Sequence, residues 1–156
     1  MFLKIHRMFL GKTSYVWGKN MKYFDKSFMN GELSDEEYDK RIKTYNMYID
    51  EILKKSNFKI RLFIKNLSLH DATILTVNTY NTKLNCRILV GDNQKGRTQL
   101  LLSFLNYNCN NIEKGILPFK IAYYELYRTN RYCLSLISDD FREAEINFSD
   151  ISIYLE

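Results

Sequence analysis

The chain reads as an α+β protein, with an N-terminal helix or helical pair packed on an antiparallel meander of about six to seven strands. Three observations predict this. A capped, charged helical pattern fills the first half. From Leu67 onward the pattern becomes strand upon strand. The strands are sequential and joined by short turn signals, as hairpins are. The 156 residues suffice for one domain with a real core: an extension over 1–20, a mainly helical part over 21–66 and a sheet over 67–156.

Residues 1–20 fit no single pattern. Phe2, Leu3, Ile5, Met8, Phe9 and Leu10 suit a strand, a short amphipathic helix or a simple extension before Met21. Lys4, His6 and Arg7 break the run too often for a signal-peptide core. Gly11-Lys12-Thr13 looks like the end of a phosphate loop, but position 6 is His. Without that glycine the backbone cannot wrap a phosphate.

Ser34 followed by Glu37 is a capping box, and Asp35, Glu36 and Glu37 suit the positive end of a helix dipole. Tyr38, Ile42, Tyr45, Ile49, Ile52 and Leu53 then recur at three- and four-residue spacing, which predicts a helix over Asp35–Lys55 with its Tyr stripe in or at the edge of the core. Phe58–Leu67 carries both periods. Phe58, Ile60, Leu62 and Ile64 alternate as in a strand, whereas Ile60, Phe63, Ile64 and Leu67 follow helical spacing, and the reading leans to a short second helix.

Ala72–Tyr80 is β-branched and aromatic. Ile74 and Val77 cannot share a face of a regular strand, so this one is buried on both faces at its start or carries a bulge. Asn81-Thr82 turns the chain into Lys83–Val90, with Leu84, Cys86, Ile88 and Val90 on one face, and Gly91-Asp92-Asn93 closes it. Arg97–Tyr107 is a third strand, and Cys109–Pro118 a polar loop. Phe119–Tyr127 and Arg131–Ser138 form a second hairpin about Thr129-Asn130, Asp139-Asp140 turns, and Arg142–Phe148 and Ile151–Leu155 finish the sheet.

Charge is uneven along the chain. Residues 1–66 hold 14 Lys+Arg against 8 Asp+Glu, and residues 67–156 hold 9 against 10. The basic excess suits nucleic acid, an anionic membrane or an acidic protein, or is simply a solvated face. Cys86, Cys109 and Cys133 are odd in number and lack a Cys-x-x-Cys spacing, so they predict no metal site and fit a cytoplasmic protein with reduced thiols. No cofactor motif is present, and no apolar run nears the roughly 20 residues that span a bilayer.

The candidate motif is His70-Asp71, where helix gives way to sheet. A His-Asp dipeptide occurs in one phosphohydrolase metal site, which needs further His and Asp ligands, and the other histidine here is His6. The structural reading is favoured: Asp71 accepts backbone N–H bonds at the junction and His70 packs beside it.

Met21-Lys-Tyr-Phe, a charged helix, Leu69-His-Asp-Ala-Thr-Ile and strands ending Ile146-Asn-Phe-Ser-Asp-Ile together resemble a family of uncharacterised proteins from Gram-positive bacteria, over about Met21–Glu156. That resemblance implies a helical part before an antiparallel sheet and brings no established activity. Comparable small α+β proteins occur as immunity proteins beside polymorphic toxins, an analogy of fold alone.

Three functions are therefore weighed. The first is a cytoplasmic binding protein acting through a protein partner, such as an immunity-type inhibitor of a toxin; a Tyr- and Phe-rich sheet supplies the kind of surface interfaces use. The second is nucleic-acid binding through Arg7, Lys12, Lys19, Lys22 and Lys26 with aromatic stacking. The third is an enzyme with His70 as base and Asp71 or Glu125 nearby. More weight falls on a non-enzymatic role.

Overall fold

A computed structural model describes residues 21–92, 94, 96–112 and 116–156. Among the described residues, three helices precede eight strands: α1 (Lys26–Met29), α2 (Asp35–Lys54), α3 (Phe58–Asn66), β1 (Thr73–Tyr80), β2 (Lys83–Asp92), β3 (Gly96–Leu105), β4 (Asn108–Asn110), β5 (Phe119–Arg128), β6 (Tyr132–Ser138), β7 (Glu143–Phe148) and β8 (Asp150–Leu155). The α+β expectation holds: the N-terminal helices pack on one antiparallel sheet.

Each helix begins on a side-chain cap that satisfies an otherwise unpaired amide. Asp25 accepts from Phe28, Ser34 from Glu37 and Asn57 from Ile60. Only half of the expected capping box forms, because the Glu37 carboxylate turns to Arg41 at 3.1 Å. The short α1 was not foreseen. Most of Phe58–Leu67 resolves as helix, over Phe58–Asn66 with Leu67 as an extended cap: Ile60 and Phe63 are buried on one face while Phe58 points to solvent, which alternation would not allow.

The sheet runs β4-β7-β6-β5-β1-β2-β3-β8. Meanders exist as predicted in β1–β2–β3 and β5–β6–β7, but β4 and β8 break the simple order. The pairs Leu100↔Leu155 to Leu105↔Asp150 and Asn108↔Asn147 to Asn110↔Glu145 keep one register. Thus β3–β4 and β7–β8 are two long bent strands of a single ribbon, joined at the bend by Ser149 N–H to Leu105 O at 3.0 Å. This ribbon links the two meanders on one side, and β1–β5 pairing links them on the other. The sheet therefore closes on itself as a barrel. The strand missed by sequence reading is β4. Its Asn-Cys-Asn looks like loop and is a strand only because pairing with β6 fixes β7 so that Glu145–Asn147 lies beside it.

Inward residues of all the long strands fill the barrel. Phe104 meets Phe148 edge-on at 5.0 Å, with Leu84, Ile88, Leu102, Leu134 and Ile146 around them, all almost fully buried. The void found among the core side chains here is about 10 Å³, no more than a water, as in a packed core. The bulge predicted from Ile74 and Val77 is present between Ile74 and Thr76 and turns both inward. A second shift, between Ile121 and Tyr123, points Ile121 in and Tyr123 out.

The β1–β5 link is short, covering Thr73↔Lys120 and Ile74↔Phe119. Beyond it the edge of β5 needs other acceptors. Helix α2 supplies them: Tyr45 Oη accepts Leu126 N–H at 2.8 Å, and Tyr48 Oη accepts Arg128 N–H at 3.0 Å. Two tyrosines one turn apart on a helix match two amides two residues apart on a strand, so the helix covers an edge that would otherwise stay open. The face of α2 turned to the sheet includes Tyr45, Tyr48, Ile49 and Ile52, as well as Arg41, which the apolar stripe did not include.

Tyr45→Phe therefore leaves a buried amide without an acceptor and costs about 1–3 kcal/mol, whereas Tyr48→Phe, at a partly exposed amide, costs about 1 kcal/mol or less. Urea unfolding of the two variants checks the order.

Candidate functional site

Among the described residues, the His70-Asp71 turn, the buried Glu125 carboxylate beneath the N-terminal segment and the outer face of α3 stand out chemically.

At the turn, Asp71 sits at φ +62°, a left-handed conformation that Asp tolerates better than most residues. Its N–H donates to Ile121 O at 2.9 Å, and Ile121 N–H returns to Ala72 O at 2.8 Å. The Asp71 carboxylate does not cap backbone amides as the sequence suggested. It meets His70 Nδ1 at 2.8 Å. The imidazole stands edge-on to the Tyr123 ring at 5.0 Å, and the His70 side chain is 48% exposed. An exposed, carboxylate-oriented imidazole can exchange a proton, but among the described residues no nucleophile is bonded to it. Nor does any group of three or more His, Cys, Asp or Glu among those residues have the arrangement to hold a metal ion.

Tyr123 continues into an aromatic cluster built by residues 24–38. Phe24 stacks on Tyr123 at 5.9 Å, Phe28 meets it edge-on at 5.3 Å, and Tyr38 stacks on Phe28 at 4.2 Å. These rings hold the N-terminal segment against the outside of β5.

Glu125 lies at the centre of that contact and is completely buried. Strand alternation sends Leu126 into the barrel and Glu125 outward, under the segment. Its oxygens accept the amides of Lys22 at 3.0 Å and of Tyr23 and Phe24 at 2.6 Å each. Burial pushes the carboxyl up from its ordinary range; the three amides pull it back without fully compensating. Asp25 and Arg41 extend the contact, with Arg41 Nη1 3.1 Å from Asp25 Oδ1. The sequence offered Glu125 as a catalytic companion to His70, but its oxygens are occupied by backbone amides and it acts as an anchor.

The third place was missed in the sequence because α3 was ambiguous. Phe58 is 76% exposed and Leu62, one turn on, is 40% exposed. Around them Lys54–Leu67 carries Lys54, Lys55, Lys59, Arg61 and Lys65 and no acid. Two of the five meet carboxylates: Lys54 pairs with Glu51, and Lys59 with Asp150 at 3.5 Å. Arg61 caps the end of α2 through Leu53 O at 3.0 Å. The signal available in the sequence was Phe58 immediately after the Asn57 cap, a position on the solvent side when Ile60 and Phe63 face in.

Of the basic residues proposed for nucleic acid, Arg7, Lys12 and Lys19 lie outside the described residues. Lys22 Nζ sits over the Tyr23 ring at 5.2 Å, and Lys26 Nζ is 4.0 Å from Glu143. Cys86 is buried and Cys133 half-buried, and burial lifts their thiols to about 12 and about 11, so both are inert hydrophobes at neutral pH. No helix among the described residues is long and apolar enough to cross a membrane. Compared with family models, curated proteins and solved structures, the chain matches none.

The Glu125 geometry predicts a pH effect of definite sign. A carboxyl raised in the folded state holds its proton where the unfolded chain has released it. Its contribution therefore favours folding below the ordinary Glu value of 4.5 and weakens as pH rises from there through the folded value. The stability difference between wild type and Glu125→Gln should shift against the wild type across that window and level off above it. Urea midpoints at pH steps from 4 to roughly 8 read it out.

Proposed function

We propose that the protein is a binding protein that docks on an acidic face of a protein partner through α3. The single observation behind this reading is the exposed Phe58–Leu62 pair, in a segment, Lys54–Leu67, that carries five cations, two of them meeting carboxylates, and no acid. An exposed aromatic on a rigid helix is the kind of anchor that carries binding energy, and surrounding charge sets the partner's sign and speeds encounter. Helix α3 is held by buried Ile60 and Phe63, so little ordering cost falls on binding. An immunity-type inhibitor that covers an acidic surface of a toxin is one such binder. A polyanionic nucleic acid suits the cations and Phe58 could stack on a base, but the aliphatic Leu62 beside it suits an apolar protein surface better, which favours protein.

Phe58→Asp tests this directly. It removes the anchor, and an acid in the first turn of a helix is well tolerated. Pull-downs from host lysate with wild type and variant, at low and high salt, should retain one protein on wild type at high salt and lose it at least about tenfold on Phe58→Asp, which is about 1.4 kcal/mol of binding. Equal capture by both would contradict the proposal. Nucleic acid that elutes as salt rises, in place of a protein, would transfer the reading to nucleic acid.

A further inference from the structure

The barrel interior is filled, yet a cavity of about 180 Å³ lies where α2, α3 and β5 meet. Ile49, Ile64, Leu67 and the Tyr124 ring form its apolar walls. Its lining side chains with polar groups are Tyr45, Asn46 and Tyr124, and no charged side chain lines it. We propose that this cavity is a binding site for a neutral, single-ring organic molecule that carries one hydrogen-bond acceptor.

Size, lining and the buried Tyr45 donor carry the argument. The site is an order of magnitude larger than the void inside the barrel, where packing leaves almost nothing empty. A volume of roughly 150 Å³ is enough for benzene, so a single six-membered ring fits the space between these side chains. The apolar walls and lack of a counter-ion reject a charged ligand, whose desolvation nothing would repay. Tyr45 is nine-tenths buried, and its oxygen already accepts the Leu126 amide at 2.8 Å. A hydroxyl has one hydrogen and two lone pairs, so the Tyr45 hydrogen remains to donate. A carbonyl or ether oxygen on the bound ring would receive it. Sites of this kind favour the junction between helices, and this one lies between α2 and α3.

The site does not depend on the α3 docking face, because its walls are the opposite, inward side of that helix. A ligand here would nonetheless touch Leu67, at the end of α3, and the edge of β5 at once.

The test follows the Leu126 amide by nitrogen–proton NMR in the full chain, using cyclohexanone, toluene and cyclohexanecarboxylate as probes. Cyclohexanone should shift that amide saturably, and the carboxylate should bind at least about tenfold more weakly, or 1.4 kcal/mol. Tyr45→Phe should weaken cyclohexanone several-fold relative to toluene. Leu67→Trp and Ile64→Trp fill the cavity from two sides, so whichever folds should abolish the shift. A Leu126 amide that does not move with either neutral probe would overturn the proposal. So would a shift that persists in a folded, filled variant.

Discussion

The carboxylate of Glu125 is the contact on which the arrangement of the two halves depends. It is buried on a strand whose other face is barrel core, and it gathers three consecutive amides of residues 22–24. An ion buried this deeply is costly unless its lone pairs are filled, and so are backbone amides without acceptors. Each satisfies the other only when the N-terminal segment lies across β5 in one register. That register fixes where Asp25 caps α1 and meets Arg41, and hence where α2 crosses the sheet. Apolar contact alone would allow the segment to slide, and the rings of Phe24, Phe28 and Tyr123 add area without choosing a position.

The same logic explains how the barrel is completed. Its β1–β5 junction is two residue pairs long, which leaves polar backbone along β5. The tyrosine hydroxyls of α2 satisfy two of those amides, and the buried Tyr132–Ser56–Ile52 chain of hydrogen bonds ties the end of α2 to the β6 side. The helical layer is thus joined to the sheet by directional bonds at its edge as well as by side-chain packing. Packing is tight within the barrel and looser where helices replace a strand, because round helices cannot follow a pleated edge closely. The cavity between α2, α3 and β5 falls at that mismatch.

Much of the fold was legible in the chain. The Ser34 cap, the apolar period of α2 and the alternation Leu84, Cys86, Ile88, Val90 each report a local preference that tertiary structure kept. The incompatible spacing of Ile74 and Val77 even located a bulge. What stayed hidden depends on distant partners. Asn108–Asn110 is a strand only because β7 arrives beside it, and barrel closure follows from a register shared by segments far apart in the chain. For the site, His70 and Asp71 could be named from the sequence, but the Asp71 carboxylate's choice of imidazole over backbone could not. Glu125 could be offered only as a group near His70, since nothing local says that residues 22–24 will bury it. Phe58 became visible as an exposed residue only once Ile60 and Phe63 fixed the helix face.

The central claim is that Glu125 makes the N-terminal segment part of the folded body, and amide hydrogen exchange tests it most directly. The amides of Tyr23 and Phe24 should exchange as slowly as those of β5 and β6 in the barrel, opening only with global unfolding. Exchange of these two amides orders of magnitude faster than the barrel's, with the barrel still protected, would show that the carboxylate does not hold the segment and would contradict the account.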